Sequence, residues 1–234
     1  SGFNVVDLTG VEAFSMLDTL LVVNGDVAIM PQLPATLKIL DLNGCNLTSL
    51  PTLPSGLIEL NVRANNLTLL PTLPNTLEIL ITTSNTQLSS LPTLPSSLRR
   101  LIAVQNDLSS IPTLPATLEW FDCSFNSAIT TLPTIPSNVE RFEANSLTNI
   151  TSIPTIPASM RYLSFQNCNV NTIPALPNEL GLLYCQGNNI TVLPDPLPDS
   201  LYTFSFYNNQ VSVLPELPDG IQDLDCGFNQ LTCL

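Results

Sequence analysis

The sequence predicts a parallel β-solenoid, in which stacked turns each contribute one short strand and little or no α-helix forms. Two observations support this prediction. The string Leu-Pro-x-Leu-Pro recurs every 20 or 21 residues along almost the whole chain, and a fixed period of this length indicates a repeat architecture. Each unit also carries two prolines, which a helix interior does not tolerate. The side opposite the strands is therefore expected to be extended, polyproline-like or irregular.

The repeat divides the chain into ten units that cover residues 30–234, preceded by an atypical N-terminal segment over residues 1–29. Units of this kind pack only on their neighbours, so we expect residues 1–234 to form a single solenoid. The ten units begin at Met30, Leu50, Leu70, Leu91, Ile111, Leu132, Ile153, Ile173, Leu193 and Leu214.

Each unit has an apolar pair two residues apart, such as Leu60 and Val62, which predicts a short strand with one face in the core. A polar residue then turns the chain out of the strand, and stacking would align these side chains in a ladder. The ladder positions hold Asn65, Asn85, Asn106, Asn126, Asn188, Asn209 and Asn229, with Cys45 and Cys168 elsewhere. Leu147 interrupts the ladder, so a distorted rung is expected there. Turn-forming and capping residues follow the second proline: Ser55, Asn75, Ser96, Ser137, Asn178, Asp199 and Asp219.

This unit resembles the leucine-rich-repeat family, specifically its bacterial class with Leu-Pro-x-Leu-Pro. Two bacterial groups have such repeats: injected effectors that carry a ubiquitin-ligase domain, and large surface proteins of Bacteroidota. Cys123 in Phe-Asp-Cys, the opening at residues 7–14 and the ending at residues 229–234 are similar to the second group. The resemblance implies a secreted or cell-surface protein. Because a solenoid end needs a cap, we expect a fragment of a longer chain with further repeats or domains.

Composition disfavours several classes of function. The net charge is −13, with 6 Lys and Arg residues and no His, so neither nucleic acid nor an anionic membrane is an expected partner. No apolar run is long enough for membrane insertion. Without His we find no catalytic arrangement, no zinc site and no expected cofactor. Stacked Asp199 and Asp219 could hold Ca²⁺, but a solvated acidic edge explains them better. The six Cys are expected to be reduced thiols.

Outward side chains of the predicted strands lie on the concave face and are free of the fold. Two zones stand out on this face. Ile79, Ile81, Ile102 and Val104 form an apolar patch, and Trp120, Tyr162, Tyr184 and Tyr207 form an aromatic track with Arg100 and Arg141. Exposed Trp, Tyr and Arg are enriched at binding hot spots. We therefore predict a protein or glycan ligand on this face.

The sequence thus favours a non-enzymatic, adhesive or ligand-binding segment of a secreted or cell-surface bacterial protein. A structural spacer or surface-layer component is an alternative, because large side chains can also cover a sheet and stabilise neighbouring strands. The recognition domain of a secreted ubiquitin-ligase effector is a second alternative. No catalytic or metal-binding residues are predicted.

Overall fold

The computed structural model describes residues 5–232 and confirms the predicted fold class, a parallel β-solenoid of about ten turns with almost no helix. Over these residues the one helix is a 3-10 turn at Val11–Ala13. The Leu-Pro-x-Leu-Pro segments form neither helix nor strand, as their prolines predict. The chain divides into two compact units, Ser1–Leu118 and Glu119–Leu234.

The first unit contains five parallel strands in chain order. They are β1 (Thr19–Leu21), β2 (Ile39–Asp41), β3 (Glu59–Asn61), β4 (Ile79–Ile81) and β5 (Arg100–Ile102). Equivalent residues of successive turns are register partners, for example Leu40 with Leu60 and Leu60 with Leu80. The strand β1 lies inside the segment expected to be atypical, so the sheet already includes that segment.

The second unit contains six parallel strands, again in chain order. They are β6 (Trp120–Asp122), β7 (Arg141–Glu143), β8 (Tyr162–Ser164), β9 (Leu182–Tyr184), β10 (Thr203–Ser205) and β11 (Asp223–Asp225). In both units the middle residue of every strand from β2 to β10 is buried. This confirms the predicted alternation of strand side chains between the core and the open face of the sheet. In the core of the second unit Phe121 and Phe142 stack with ring centroids 5.3 Å apart.

The predicted ladder is present. In Asn188, Nδ2 donates to the Phe165 and Cys185 carbonyls at 2.8 and 3.0 Å, and Oδ1 accepts from the Val170 N–H at 3.0 Å. One side chain therefore bonds the backbone of its own turn and of the preceding turn. A ladder cysteine keeps part of this pattern: the Cys168 thiol donates to the Ala144 carbonyl at 3.2 Å.

The distortion expected at Leu147 is not seen in the backbone. Ser146 has the same left-handed conformation as its equivalents in other turns, with φ of 56°, and its N–H still donates to the Gln166 carbonyl of the next turn. Leu147 itself is fully buried. Apolar burial thus takes the place of the amide hydrogen bonds in this rung.

The turn out of each strand is made one residue earlier than the sequence indicated. The residue before the ladder position is left-handed, with φ between 51° and 70°, whatever its type. The residues at this position are Gly44, Ala64, Ser84, Gln105, Phe125, Ser146, Asn167, Gly187, Asn208 and Phe228. A side chain with a Cβ is disfavoured in this conformation by about 1–2 kcal/mol. The ladder asparagine therefore stabilises a turn that its neighbour makes.

A second correction concerns the residues after the second proline. They do form tight turns, such as that closed by the Leu77 N–H and the Pro74 carbonyl at 3.1 Å. The bond between turns, however, comes from the hydroxyl one residue later, as where Thr76 donates to the Leu57 carbonyl at 2.7 Å. Equivalent bonds are made by Thr36, Ser97, Thr117, Ser159 and Ser200.

In three long turns the extra residue lies directly after the ladder position, whereas in the turn between β9 and β10 it lies in the proline segment at residues 193–198. An extra residue after the ladder position is closed into a small turn, in which the Leu88 N–H donates to the Asn85 carbonyl at 2.9 Å. The same closure joins Ile129 to Asn126 and Ile150 to Leu147. The strands of the following turns consequently keep their register.

Candidate functional site

On the open face of the first unit, the structure brings together the residues of the predicted apolar patch. Ile81 and Ile102 are register partners on β4 and β5, and Ile79 is the partner of Arg100. The side chains of Ile79, Ile81, Arg100 and Ile102 are all half-buried. The patch is therefore a continuous part of the sheet surface, with a cationic side chain at its edge.

On the open face of the second unit, four predicted residues form one contiguous group, which we call the aromatic cluster: Trp120, Arg141, Tyr162 and Tyr184. The Arg141 guanidinium carbon lies 4.5 Å from the centroid of the Trp120 ring and 4.0 Å from that of the Tyr162 ring. The Tyr162 and Tyr184 centroids are 5.6 Å apart, with the rings tilted by 44°. Strand register explains the two contacts of Arg141, because Trp120, Arg141 and Tyr162 are partners on β6, β7 and β8.

Arg141 is held in place from a third side. Its Nε donates to Glu143 Oε1 at 2.8 Å, and the Glu143 side chain is only 14% exposed. A guanidinium between two rings and a carboxylate has little conformational freedom left to lose on binding. The aromatic cluster is thus preorganised.

Tyr207, the remaining ring of the predicted aromatic track, packs against the next turn. Its ring packs on Phe228, with centroids 5.1 Å apart and an angle of 56°. It lies over Gly227, where a Cβ would come within 3.2 Å of the ring. Tyr207 follows its strand by two residues, so it turns towards the end of the next turn. The predicted single row of rings is therefore two groups.

Beside the aromatic cluster runs a row of hydrogen-bonded polar side chains that sequence reasoning did not single out. Asn145 Oδ1 accepts from the Ser164 hydroxyl at 2.6 Å and from the Gln166 N–H at 2.8 Å. Gln166 Nε2 donates to Ser164 Oγ at 2.9 Å, and its Oε1 accepts from Gln186 Nε2 at 2.8 Å. Asn145, Gln166 and Gln186 hold the same repeat position on successive turns, and this recurrence is the signal in the sequence that could have revealed the row.

Burial and nearby charge alter two acids of this face. The pKa of Asp122 is raised to about 6, mainly by desolvation and to a smaller extent by the negative charge of Glu143, while hydrogen bonds from Ser124 and the positive charge of Arg141 oppose the rise. Burial, followed by the Glu143 charge, also raises the pKa of Tyr162. A carboxyl of this kind changes its charge close to neutral pH.

A depression of about 610 Å³ lies on the open face over β9 to β11. Small side chains, Thr203 and Ser205, form its floor, while Tyr184 lies on one side and Asp223 and Asp225 on the other. This depression was not predicted, because only the contrast in side-chain size between neighbouring strands creates it.

The acidic edge offers no metal site. Asp195, Asp199, Glu216 and Asp219 line a cleft of about 210 Å³, yet across residues 5–232 no three potential ligands come close enough to hold a metal ion. Five cysteines are free thiols, while Cys233 lies outside the described residues. Burial raises the pKa of the Cys123, Cys168 and Cys185 thiols, so these groups are poor nucleophiles.

The fold places the chain among leucine-rich-repeat structures. The structure is similar to YopM from Yersinia enterocolitica, with a TM-score of 0.63 and 29% identity over 92% of this chain and 56% of that one. YopM from Yersinia pestis, a leucine-rich effector protein, matches with a TM-score of 0.70 and 27% identity over 93% and 73% of the two chains. A Shigella effector leucine-rich-repeat domain matches with a TM-score of 0.51 and 28% identity over 74% and 70%.

The chain spans little more than half of the Yersinia enterocolitica protein. No protein-family model matches the sequence, and no curated protein does so either. The structural neighbours are repeat proteins, and leucine-rich repeats generally act as scaffolds for protein interaction. None of the helices in residues 5–232 is long and apolar enough to cross a membrane. The closer resemblance to Bacteroidota surface proteins stays a prediction.

Proposed function

We propose that this chain is a non-enzymatic binding module that recognises a protein partner through the open sheet face of its second unit. The observation that carries the proposal is the packing of Arg141 between Trp120 and Tyr162. Side chains of these types supply large contact area at low entropic cost. Their contacts with one another fix them before a partner arrives. The similarity to leucine-rich effector proteins supports a protein as the partner.

A glycan is the second candidate ligand. The row of Asn145, Ser164, Gln166 and Gln186 runs beside the aromatic cluster and presents amide and hydroxyl groups next to flat rings. Rings that contact the apolar side of a sugar, with amides that bond its hydroxyls, would suit a saccharide chain. This observation favours a glycan over a purely structural role for the same surface.

The test begins with peptides selected from a random library on the immobilised chain, and with a glycan array for the second candidate. Replacing Trp120, Tyr162, Tyr184 and Tyr207 together by Ala should weaken binding of the selected ligands about 30-fold or more, since one lost anchor typically costs about 2 kcal/mol. Circular dichroism should report an intact fold, because side chains on the open face leave no cavity in the core.

A matched control removes apolar area elsewhere: Val192→Ala with Val213→Ala, at side chains that are 72% and 75% exposed. This variant should bind like the parent chain. Undiminished binding by the quadruple variant would reject the open face as the binding surface and favour the spacer function. Ligands selected on the array but not among peptides would favour the glycan.

We also propose a secreted or cell-surface location, which rests on the resemblance to bacterial surface and effector proteins. The apolar patch of Ile79, Ile81 and Ile102, with Arg100, is proposed as a second contact surface in the first unit. The ubiquitin-ligase effector alternative makes a distinct prediction, because a chain with that role needs a ligase domain elsewhere in the same protein. Sequencing the complete gene would show whether a ligase domain is present, and testing culture supernatant for the protein would test secretion.

A further inference from the structure

The depression over β9 to β11 has a composition that differs from the rest of the open face. Register places Tyr184, Ser205 and Asp225 in one row across the three strands, and Leu182, Thr203 and Asp223 in the next. Neighbouring strands lie about 4.8 Å apart, so the ring of Tyr184 and the carboxylate of Asp225 project from strands roughly 10 Å apart. The short side chains between them leave a space that one long side chain could fill.

Two of the polar groups that line this space, the carboxylates of Asp223 and Asp225, are hydrogen-bond acceptors alone when ionised, whereas the amides and hydroxyls of the lining both donate and accept. Asp223 and Asp225 are exposed carboxylates, and none of the residues lining the depression is basic. Gln186 also lines it, and its Nε2 is already engaged by Gln166. Within the described part of the chain, Gln186 Oε1 is buried without a hydrogen-bond partner. A buried acceptor of this kind is costly in free energy unless a donor reaches it.

We infer that this depression is a specificity pocket for an arginine side chain of the protein partner, an inference that rests on the proposed binding function. A guanidinium offers five N–H donors and no acceptor, which complements two exposed carboxylates. Its flat face can stack on the Tyr184 ring. A lysine ammonium has the charge but not the planar geometry, and the net charge of −13 attracts either cation to the chain.

The direct test uses acetyl-Gly-Arg-Gly-amide as the probe, with backbone amide shifts followed by nuclear magnetic resonance on the complete chain. The signals of Thr203, Ser205 and Asp225 should shift together with saturation. The equivalent citrulline peptide, which has the same shape without the charge, should bind about tenfold more weakly because it loses the ion pairs and most of the ring contact. The lysine peptide should also bind more weakly than the arginine peptide.

Two charge-matched variants localise the effect. Asp223→Asn with Asp225→Asn should weaken the arginine peptide about tenfold. Asp199→Asn with Asp219→Asn removes the same charge at the other acidic cleft and should leave the affinity unchanged. Equal binding of the citrulline or lysine peptide would overturn the inference. So would shifts spread over all acidic residues, or shifts of these amides by methyl glucoside and not by arginine.

This experiment is separable from the test of the proposed function. The probe reads the depression alone and does not require Trp120 or Arg141. Tyr184 belongs to both surfaces, so Trp120→Ala with Arg141→Ala is the variant that separates them. Selected peptides that depend on this pair, with no response of Thr203 or Ser205 to arginine, would reject the arginine pocket and leave the proposed function standing. A pocket that binds arginine on a chain whose selected peptides ignore this pair would reject the proposed surface instead.

Discussion

Replacing the ladder residue Asn188 by Ala should destabilise the second unit by about 3 kcal/mol. Asn188 is 7% exposed and makes four backbone hydrogen bonds, of 2.8, 3.0, 3.0 and 3.4 Å. The Cys185 carbonyl would still accept a bond from Asn209 at 3.0 Å. The Phe165 carbonyl and the Val170 N–H would lose the bonds that Asn188 gives them, and each unsatisfied buried group costs about 1–3 kcal/mol.

A neighbouring rung supplies the comparison. Cys168 has a thiol in place of the amide, and this weaker donor contacts the Ala144 carbonyl at 3.2 Å and the Gln166 carbonyl at 3.4 Å. Cys168→Ala should therefore cost only about 1 kcal/mol, mostly for lost packing. Equilibrium urea unfolding measures both variants, followed by circular dichroism and by the fluorescence of Trp120, the only tryptophan. If the two variants lose equal stability, the ladder amide does not stabilise the turn in the way described.

Three further predictions concern single residues. Asp122→Asn should equal the parent chain in stability below about pH 4 and exceed it by about 1–2 kcal/mol above about pH 6. The reason is that a carboxyl whose pKa is raised in the folded state stabilises the fold only while it is protonated. Urea midpoints across about pH 4–7.5 check this, and a constant difference in midpoint between the two chains would contradict it. Ala64→Gly should stabilise the fold by about 0.5–1 kcal/mol, because it relieves a left-handed residue at φ 54°, whereas Ala103→Gly in the buried core should destabilise it by about 1 kcal/mol. Thermal or urea unfolding measures both variants, and a change of the same sign in both would refute the reasoning. Thr76→Val should lose about 0.5–1 kcal/mol with its bond to the Leu57 carbonyl, and an unchanged urea midpoint would show that this bond does not stabilise the turn.

The repeat made the positions of β2 to β11 predictable. The pair Leu60 and Val62 recurs with a fixed offset from the prolines, so one correct strand fixed all the others. The outward facing of Tyr162 and Tyr184 followed from the same alternation, and their position on adjacent turns brought the two rings within reach of each other. Averaging over ten units removes the ambiguity that a single three-residue strand would carry.

What the sequence could not supply depends on conformation that residue type does not specify. The left-handed position holds Ala64, Gln105 and Phe125 alike, because the stacked turns around it impose the backbone. Tyr207 turned towards Phe228 because rotamers and diagonal neighbours, not register, decide which rings touch. The depression beside Tyr184 depends on empty volume, which is a property of several strands together.

The small turns that close over extra residues after Asn85 and Asn126 affect how the repeat can tolerate insertions. A residue gained there alters the length of one loop and leaves the outward side chains of every strand at the same grid spacing. Two coordinates, the turn and the position along its strand, therefore specify any point on the open face. A binding surface of this kind can change by substitution of one residue at a time, and a turn can gain a residue in this loop while the neighbouring turns keep their binding side chains in place.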